Sequence, residues 1–125
     1  LCGDDGCLDI TRAEMCRARV VVEVGGANIT AGAEEVLVRQ GIEIVPDVLA
    51  GAASDLASAL EWREARLELN FRKQDLDIHI RKQMTLAARR VQVARARYEC
   101  DMRTAAICTA LERIGKIYDI RGVFP

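Results

Sequence analysis

The chain has 125 residues, half of them apolar and 30% charged, with a formal net charge of −1. That composition supports one domain with a core, excludes a disordered chain, and gives no overall attraction to a polyanion or a membrane surface. No apolar run approaches the roughly 18 to 20 residues needed to cross a bilayer, and no basic segment leads into an apolar stretch as an export signal would.

In chain order, the sequence opens at Leu1, without a methionine, on the loop-like LCGDD, so a piece of a longer protein is expected. DITRAEMCRAR, residues 9–19, predicts a short helix with Asp9 or Thr11 as cap and a weak apolar face. VVVEV, residues 20–24, is β-branched and too apolar for a half-exposed strand, which predicts a buried strand of a parallel sheet. GGAN, residues 25–28, breaks it. Thr30 to Gln40 predicts a helix with Ala33, Val36 and Leu37 turned inward, Glu34 and Glu35 in its early turns, and Gly41 as its left-handed stop. Ile42 to Val45 is the next strand, and Pro46 ends it because proline has no N–H for a ladder.

Strand, helix and strand with short links imply a right-handed crossover in a parallel sheet. A lone crossover cannot bury both faces of its strands, so further strands are expected beside it. Small residues then lead to a helix from Ala52 to about Arg66. Asn70 is the expected cap of a long helix reaching about Tyr98, with the stripe Leu76, Ile80, Met84, Ala87, Val91, Ala94 and Tyr98. Asp101 caps a last helix whose Ala105, Ala106, Cys108, Leu111, Ile114 and Tyr118 are available for packing, with Gly122 and Pro125 at its end.

The five cysteines, Cys2, Cys7, Cys16, Cys100 and Cys108, lack CxxC spacing and have one histidine for company. They predict neither a zinc site nor a disulfide framework, and they fit a reducing, cytoplasmic compartment. Cys100 and Cys108 read as small packing residues. His79 has no nearby residues suited to a catalytic triad and reads as a solvated helix residue. Residues 78–98 hold Arg81, Lys82, Arg89, Arg90, Arg95 and Arg97 and no acid. Such a stripe suits phosphate backbones, but with one aromatic residue and no base-reading module it reads as a solvated face, and no nucleic-acid partner is expected.

Two blocks carry a family resemblance: GIEIVPDVLAGAASDLASALEW, residues 41–62, and DMRTAAICTALERIGKIYDIRG, residues 101–122. Glu23 at the end of VVVE, then Pro46, Asp47, Leu49, Ala50, Ser58, Glu61 and Trp62, then Met102, Arg103, Thr104, Ala105 and Ala106 fall in register with the glutamate/leucine/phenylalanine/valine dehydrogenase family. The chain resembles that family's carboxyl-terminal part along essentially its whole length.

The resemblance implies an α/β fold, the distal half of a Rossmann-like parallel sheet with about two to three strands, followed by a long helical tail. Residues 1–62 would be the distal half of the NAD(P)-binding domain, and residues 63–125 the helices packing back toward a substrate domain. It implies oxidative deamination of an L-amino acid, glutamate first among them, to a 2-oxo acid with NAD or NADP, in a homo-oligomer that is typically hexameric. The glycine-rich βα unit and the family's catalytic lysine and aspartate have no counterpart here, so no catalytic residue and no turnover are expected of this chain alone.

The resemblance assigns Gly25, Gly26, Asn28 and Gly51 to the nicotinamide side and Ser58 to the substrate, with no metal. Each has a plainer reading: GGAN as a glycine-rich turn, Ser58 as a small helix residue among Ala57 and Ala59. The sequence departs from the family's pattern in two places. Val24 and Gly25 stand between Glu23 and the GAN letters, so a gapless count puts Gly26 at the asparagine's place. Gly51 stands where asparagine is usual, and Ala53, Ser54 and Asp55 replace glycines and valine, which implies a different substrate preference or a degenerate site. Asp47 reads as a loop-orienting residue and Arg103 as an interdomain ion pair. From a different class, the runner-up is a non-catalytic interaction domain on the same fold.

Overall fold

The computed structural model describes residues 5–68 and 70–122. In chain order the elements are α1 (Ile10–Glu14), β1 (Val20–Val22), α2 (Ala31–Arg39), β2 (Glu43–Val45), α3 (Asp47–Ala50), α4 (Ala52–Leu67), α5 (Lys73–Tyr98) and α6 (Met102–Arg121). The strands are parallel, with Val20 opposite Glu43, Val21 opposite Ile44 and Val22 opposite Val45. An isolated parallel bridge joins Leu8 to Ile29 outside these strands. This is an α/β unit of the kind the sequence predicts.

Local chemistry explains most boundaries. Asp9 caps α1, its carboxylate accepting from the Arg12 amide at 2.9 Å. The helix stops at Glu14, five residues short of expectation, because only Ala13 on it is buried. The Thr30 hydroxyl accepts from the Ala33 amide to cap α2, and Gly41, at φ +75°, turns the chain into β2. Pro46 occupies the N-cap position of α3, a one-turn helix that replaces the expected loop. Val48, Leu49 and Ala50 form helix readily once proline has fixed the entry backbone. Asn70 does not cap α5: the helix starts at Lys73, without a side-chain cap. Pro125 and Cys2 lie outside the described residues.

Side chains of successive strand residues point to opposite faces. On one face Val21, Ile42 and Ile44 pack with Ala13, Ile29, Ala33, Val36 and Leu37 beneath α1 and α2. On the other, Val45 meets a second cluster of Leu49, Val91, Ala94, Ala105 and Ala106, brought by α3, α5 and α6. That second cover does not reach β1: Val20, Val22 and Val24 stay 40–51% exposed. The run expected to be buried on both faces is therefore buried on one. The physical reason is the one the sequence raised, that two strands and one crossover leave a face without a neighbour.

On α5 the expected stripe is the packed side, with Val91 and Ala94 buried, although Tyr98 is exposed. On α6, Ala105 and Ala106 are buried, but Leu111, Ile114 and Tyr118 are 49–60% exposed.

Candidate functional site

Glu23 follows β1 directly and is fully buried, although it sits in a run of valines. A buried carboxylate is costly unless it is matched by donors. Here the Ile29 amide donates to Oε1 at 3.0 Å and the Asp47 amide to Oε2 at 3.2 Å. Arg103, in the first turn of α6, completes the set: its Nη2 donates to Glu23 Oε2 at 2.8 Å.

The same guanidinium has two further partners. Its Nε lies 3.1 Å from Glu34 Oε2 on α2, and its Nη1 donates to Asp47 Oδ1 at 3.1 Å. Burial pulls the Arg103 pKa down, but hydrogen bonds and charge from Glu23 and Glu34 outweigh this and hold it above the ordinary value. Three carboxylates around one guanidinium leave a surplus of negative charge, which backbone N–H groups share. Asp47 Oδ1 also accepts from Val48 N at 2.8 Å, and Asp47 Oδ2 from Ala27 N at 3.4 Å.

This junction sets residues 24–30 beside residues 46–51 at the carboxyl ends of β1 and β2. An open α/β sheet offers its ligand crevice at that edge. Gly25 and Gly26 are exposed on the rim. Gly25, at φ +105°, has a backbone that a side chain would strain, and a Cβ added to Gly26 would meet no atom within 4 Å. Asn28 is fully buried under this turn, its carbonyl accepting from the Leu8 amide at 2.9 Å. Gly51 sits at the joint of α3 and α4, where a Cβ would lie 2.9 Å from the Asp47 carbonyl oxygen. Glycine in place of a larger residue matches that tight turn.

Ser58 is exposed, two turns along α4 from Gly51, and no hydrogen bond joins it to either loop. At 1.5 Å per residue it stands about 10 Å further along the helix axis. Ser54, closer to the turn, bonds back to the Gly51 carbonyl at 2.8 Å. The junction thus gathers Gly25, Gly26, Asn28 and Gly51 into one edge and leaves Ser58 apart.

Glu23 and Glu34 were not singled out as site residues from sequence. The available signal was an acid inside a β-branched run, since such a charge needs a partner elsewhere. Asp101 caps α6 as expected. Its carboxylate accepts from the Thr104 amide at 2.9 Å and from the Thr104 hydroxyl at 2.6 Å. Burial pushes its pKa up, but these bonds and further amides win, leaving it below the ordinary 3.8. His79 is exposed on α5, and among the described residues no His, Cys, Asp and Glu cluster could hold a metal.

The family model for glutamate/leucine/phenylalanine/valine dehydrogenases matches residues 1–122. The chain belongs to this family of oxidoreductases. It is 32% identical to the glutamate dehydrogenase of Thermotoga maritima over 121 residues, 97% of this chain and 29% of the relative. It is 38% identical to the NADP(+)-dependent glutamate dehydrogenase of Pyrobaculum calidifontis over 112 residues, 86% of this chain and 26% of the relative.

Among solved structures, the hetero-hexameric glutamate dehydrogenase of Thermus thermophilus, in a leucine-bound form, superposes with a TM-score of 0.87. It is 31% identical, and the match covers 97% of this chain and 29% of that one. A glutamate dehydrogenase from Peptoniphilus asaccharolyticus gives the same TM-score at 22% identity, which speaks for the fold. This glutamate dehydrogenase-like chain thus spans under a third of the length of the relatives it matches. The parallel strand pair with its crossover helix is part of their Rossmann-like architecture.

Proposed function

We propose that this chain is part of an amino-acid dehydrogenase acting on glutamate, which deaminates an L-amino acid to the 2-oxo acid with NAD or NADP. Residues 1–62 supply the distal half of the cofactor domain, and residues 63–125 the helices that pack back toward a substrate domain. The observation that carries this reading is the Arg103 junction, which holds two loops side by side at the carboxyl edge of parallel strands.

The residues at that edge fit a nicotinamide cofactor in part. When bound, the cofactor supplies the hydride acceptor. Gly25 and Gly26 leave their backbone open to close approach, and Gly51 keeps the second loop tight. Asn28 is enclosed, so its role in this reading is to support the turn from beneath. Ser58 faces solvent on α4 and is assigned to the substrate side, where a hydroxyl can donate to a carboxylate. Glu23, Glu34, Asp47 and Arg103 orient the loops. In this reading the working protein is a homo-oligomer in the cytoplasm; named relatives include NAD-specific and NADP-specific enzymes, and the Thermus thermophilus relative is a hetero-hexamer.

By itself the chain has no turnover, because the residues of the substrate domain are elsewhere. The test has two arms. The coding sequence upstream of Leu1 should contain an in-frame glycine-rich βα unit, and the full reading frame should reduce NAD or NADP only when an L-amino acid is present. A start codon at this boundary, or turnover by the isolated chain, would overturn the reading.

The bare valines of β1 favour a second reading, a non-catalytic interaction domain on this fold that associates through the uncovered sheet. A start codon at the boundary, together with self-association of the purified chain, would select it.

A further inference from the structure

Arginines tie the helical tail to the strand pair at both ends of β2. Arg95, on α5, pairs with Glu43, the first residue of β2, at the amino end. Arg103, on α6, pairs with Glu23, Glu34 and Asp47 at the carboxyl end. A cavity of about 360 Å³ separates the two ties, with Ile44, Cys100 and Met102 in its lining. Across that open space the spacing of tail and sheet rests on the polar ties.

The ties differ in kind. The Arg95 and Glu43 side chains are 44% and 41% exposed, and an ion pair so open to water contributes little. Arg103 instead turns each of its three nitrogens to a different carboxylate. Nη2 donates to Glu23 Oε2 at 2.8 Å, Nε to Glu34 Oε2 at 3.1 Å and Nη1 to Asp47 Oδ1 at 3.1 Å. Two of these acids also hold loop amides. Glu23 accepts from the Ile29 and Asp47 amides, and Asp47 from the Ala27 amide, so both loops hang on groups that one guanidinium fixes. A planar fork can set three separated acceptors in one arrangement, whereas a lysine ammonium brings the same charge to a single point.

We propose that Arg103 is a positioning residue for the cofactor edge: its fork, rather than its charge, sets the gap between residues 24–30 and residues 46–51, and with it the affinity for the dinucleotide. The inference rests on the dehydrogenase reading and adds the residue on which cofactor affinity depends. Ser58, assigned to the substrate, is joined to neither loop, so amino-acid binding should respond far less.

The test uses the enzyme made from the full reading frame, with Arg103→Lys and, as a matched control, Arg95→Lys. Fluorescence titration with the reduced nicotinamide cofactor should show Arg103→Lys weakening its binding about tenfold, as expected when reacting groups are misplaced rather than removed. Hydrogen exchange at the Ala27, Ile29, Asp47 and Val48 amides should quicken, and the amino-acid KM should stay within about twofold of the parent, since uniform binding of that substrate is untouched. Arg95→Lys should change none of these. Glu34→Gln lies outside both loops and acts on them only through Arg103, so it should weaken the cofactor in the same direction by less; should Arg103→Lys fail to fold, this variant decides. Unchanged cofactor affinity in the variants at 103 and 34, an equal loss in Arg95→Lys, or an amino-acid KM that rises in step would overturn the proposal and leave the dehydrogenase reading intact. A parent enzyme that binds neither NADH nor NADPH would overturn both.

Discussion

The two halves of α6 are one continuous helix with opposite surroundings. Its first turns carry Asp101 as cap, Arg103 in the carboxylate junction, and Ala105 and Ala106 in the core. Its last turns carry Ile114, Ile117, Tyr118 and Ile120, all 49–84% exposed. Hydrophobicity would place the core in the second half, yet the packing lies in the first. Two small alanines allow α6 to approach α5 and α3 closely, and the charged Arg103 is half-buried there because its partners come from three other segments. Burial on this helix follows the reach of its neighbours rather than the apolarity of its own residues.

Four substitutions test that contrast. The largest effect is expected from Arg103→Met, which strands the buried Glu23 carboxylate and should cost about 3 to 5 kcal/mol. Urea unfolding would measure it, and hydrogen exchange at the Ile29 and Asp47 amides should quicken in parallel. A loss under about 1 kcal/mol would mean that the junction is solvated and the contrast wrong.

Next is Ala105→Leu, which forces extra carbons into a site with 0% exposure and should destabilise by roughly 1 to 3 kcal/mol in the same assay. A neutral result would show that α6 can slide away from α5 at its start. Asp101→Ala should cost about 1 kcal/mol by removing the cap. The cap also predicts a pH dependence. Because the folded pKa lies below the ordinary 3.8, the contribution is complete above that value and fades as pH falls through the lower folded value. The variant should therefore show less acid loss of stability over that window than the parent chain.

The smallest effect is expected from Ile120→Ser, at 84% exposure, which should stay within about 0.5 kcal/mol. A larger loss would show that the far half of α6 is covered in solution, as by a second copy of the chain, and would be accompanied by a concentration-dependent midpoint.

Much of the fold is legible in the residues because local chemistry fixes it. Asp9, Thr30 and Asp101 accept from the amides three residues on, and Gly41 takes the left-handed turn that separates α2 from β2. The family blocks at residues 41–62 and 101–122 likewise sit in the sequence itself. α3 escaped because a four-residue helix has no periodicity to detect. The start of α5 was misplaced because a plausible cap residue, Asn70, competed with two further residues of extended chain.

The amino-acid sequence by itself determined the element types apart from α3, the crossover between two parallel strands and the membership of the dehydrogenase family, since propensity, capping and motif register act over a few residues. Only the tertiary structure decided that Glu23, Glu34, Asp47 and Arg103 meet, that Asn28 lies beneath its loop while Gly25 and Gly26 face out, and that one face of β1 stays bare. Those outcomes depend on where elements 11 to 80 residues apart in the chain come to rest, and on which desolvated charge finds which donor.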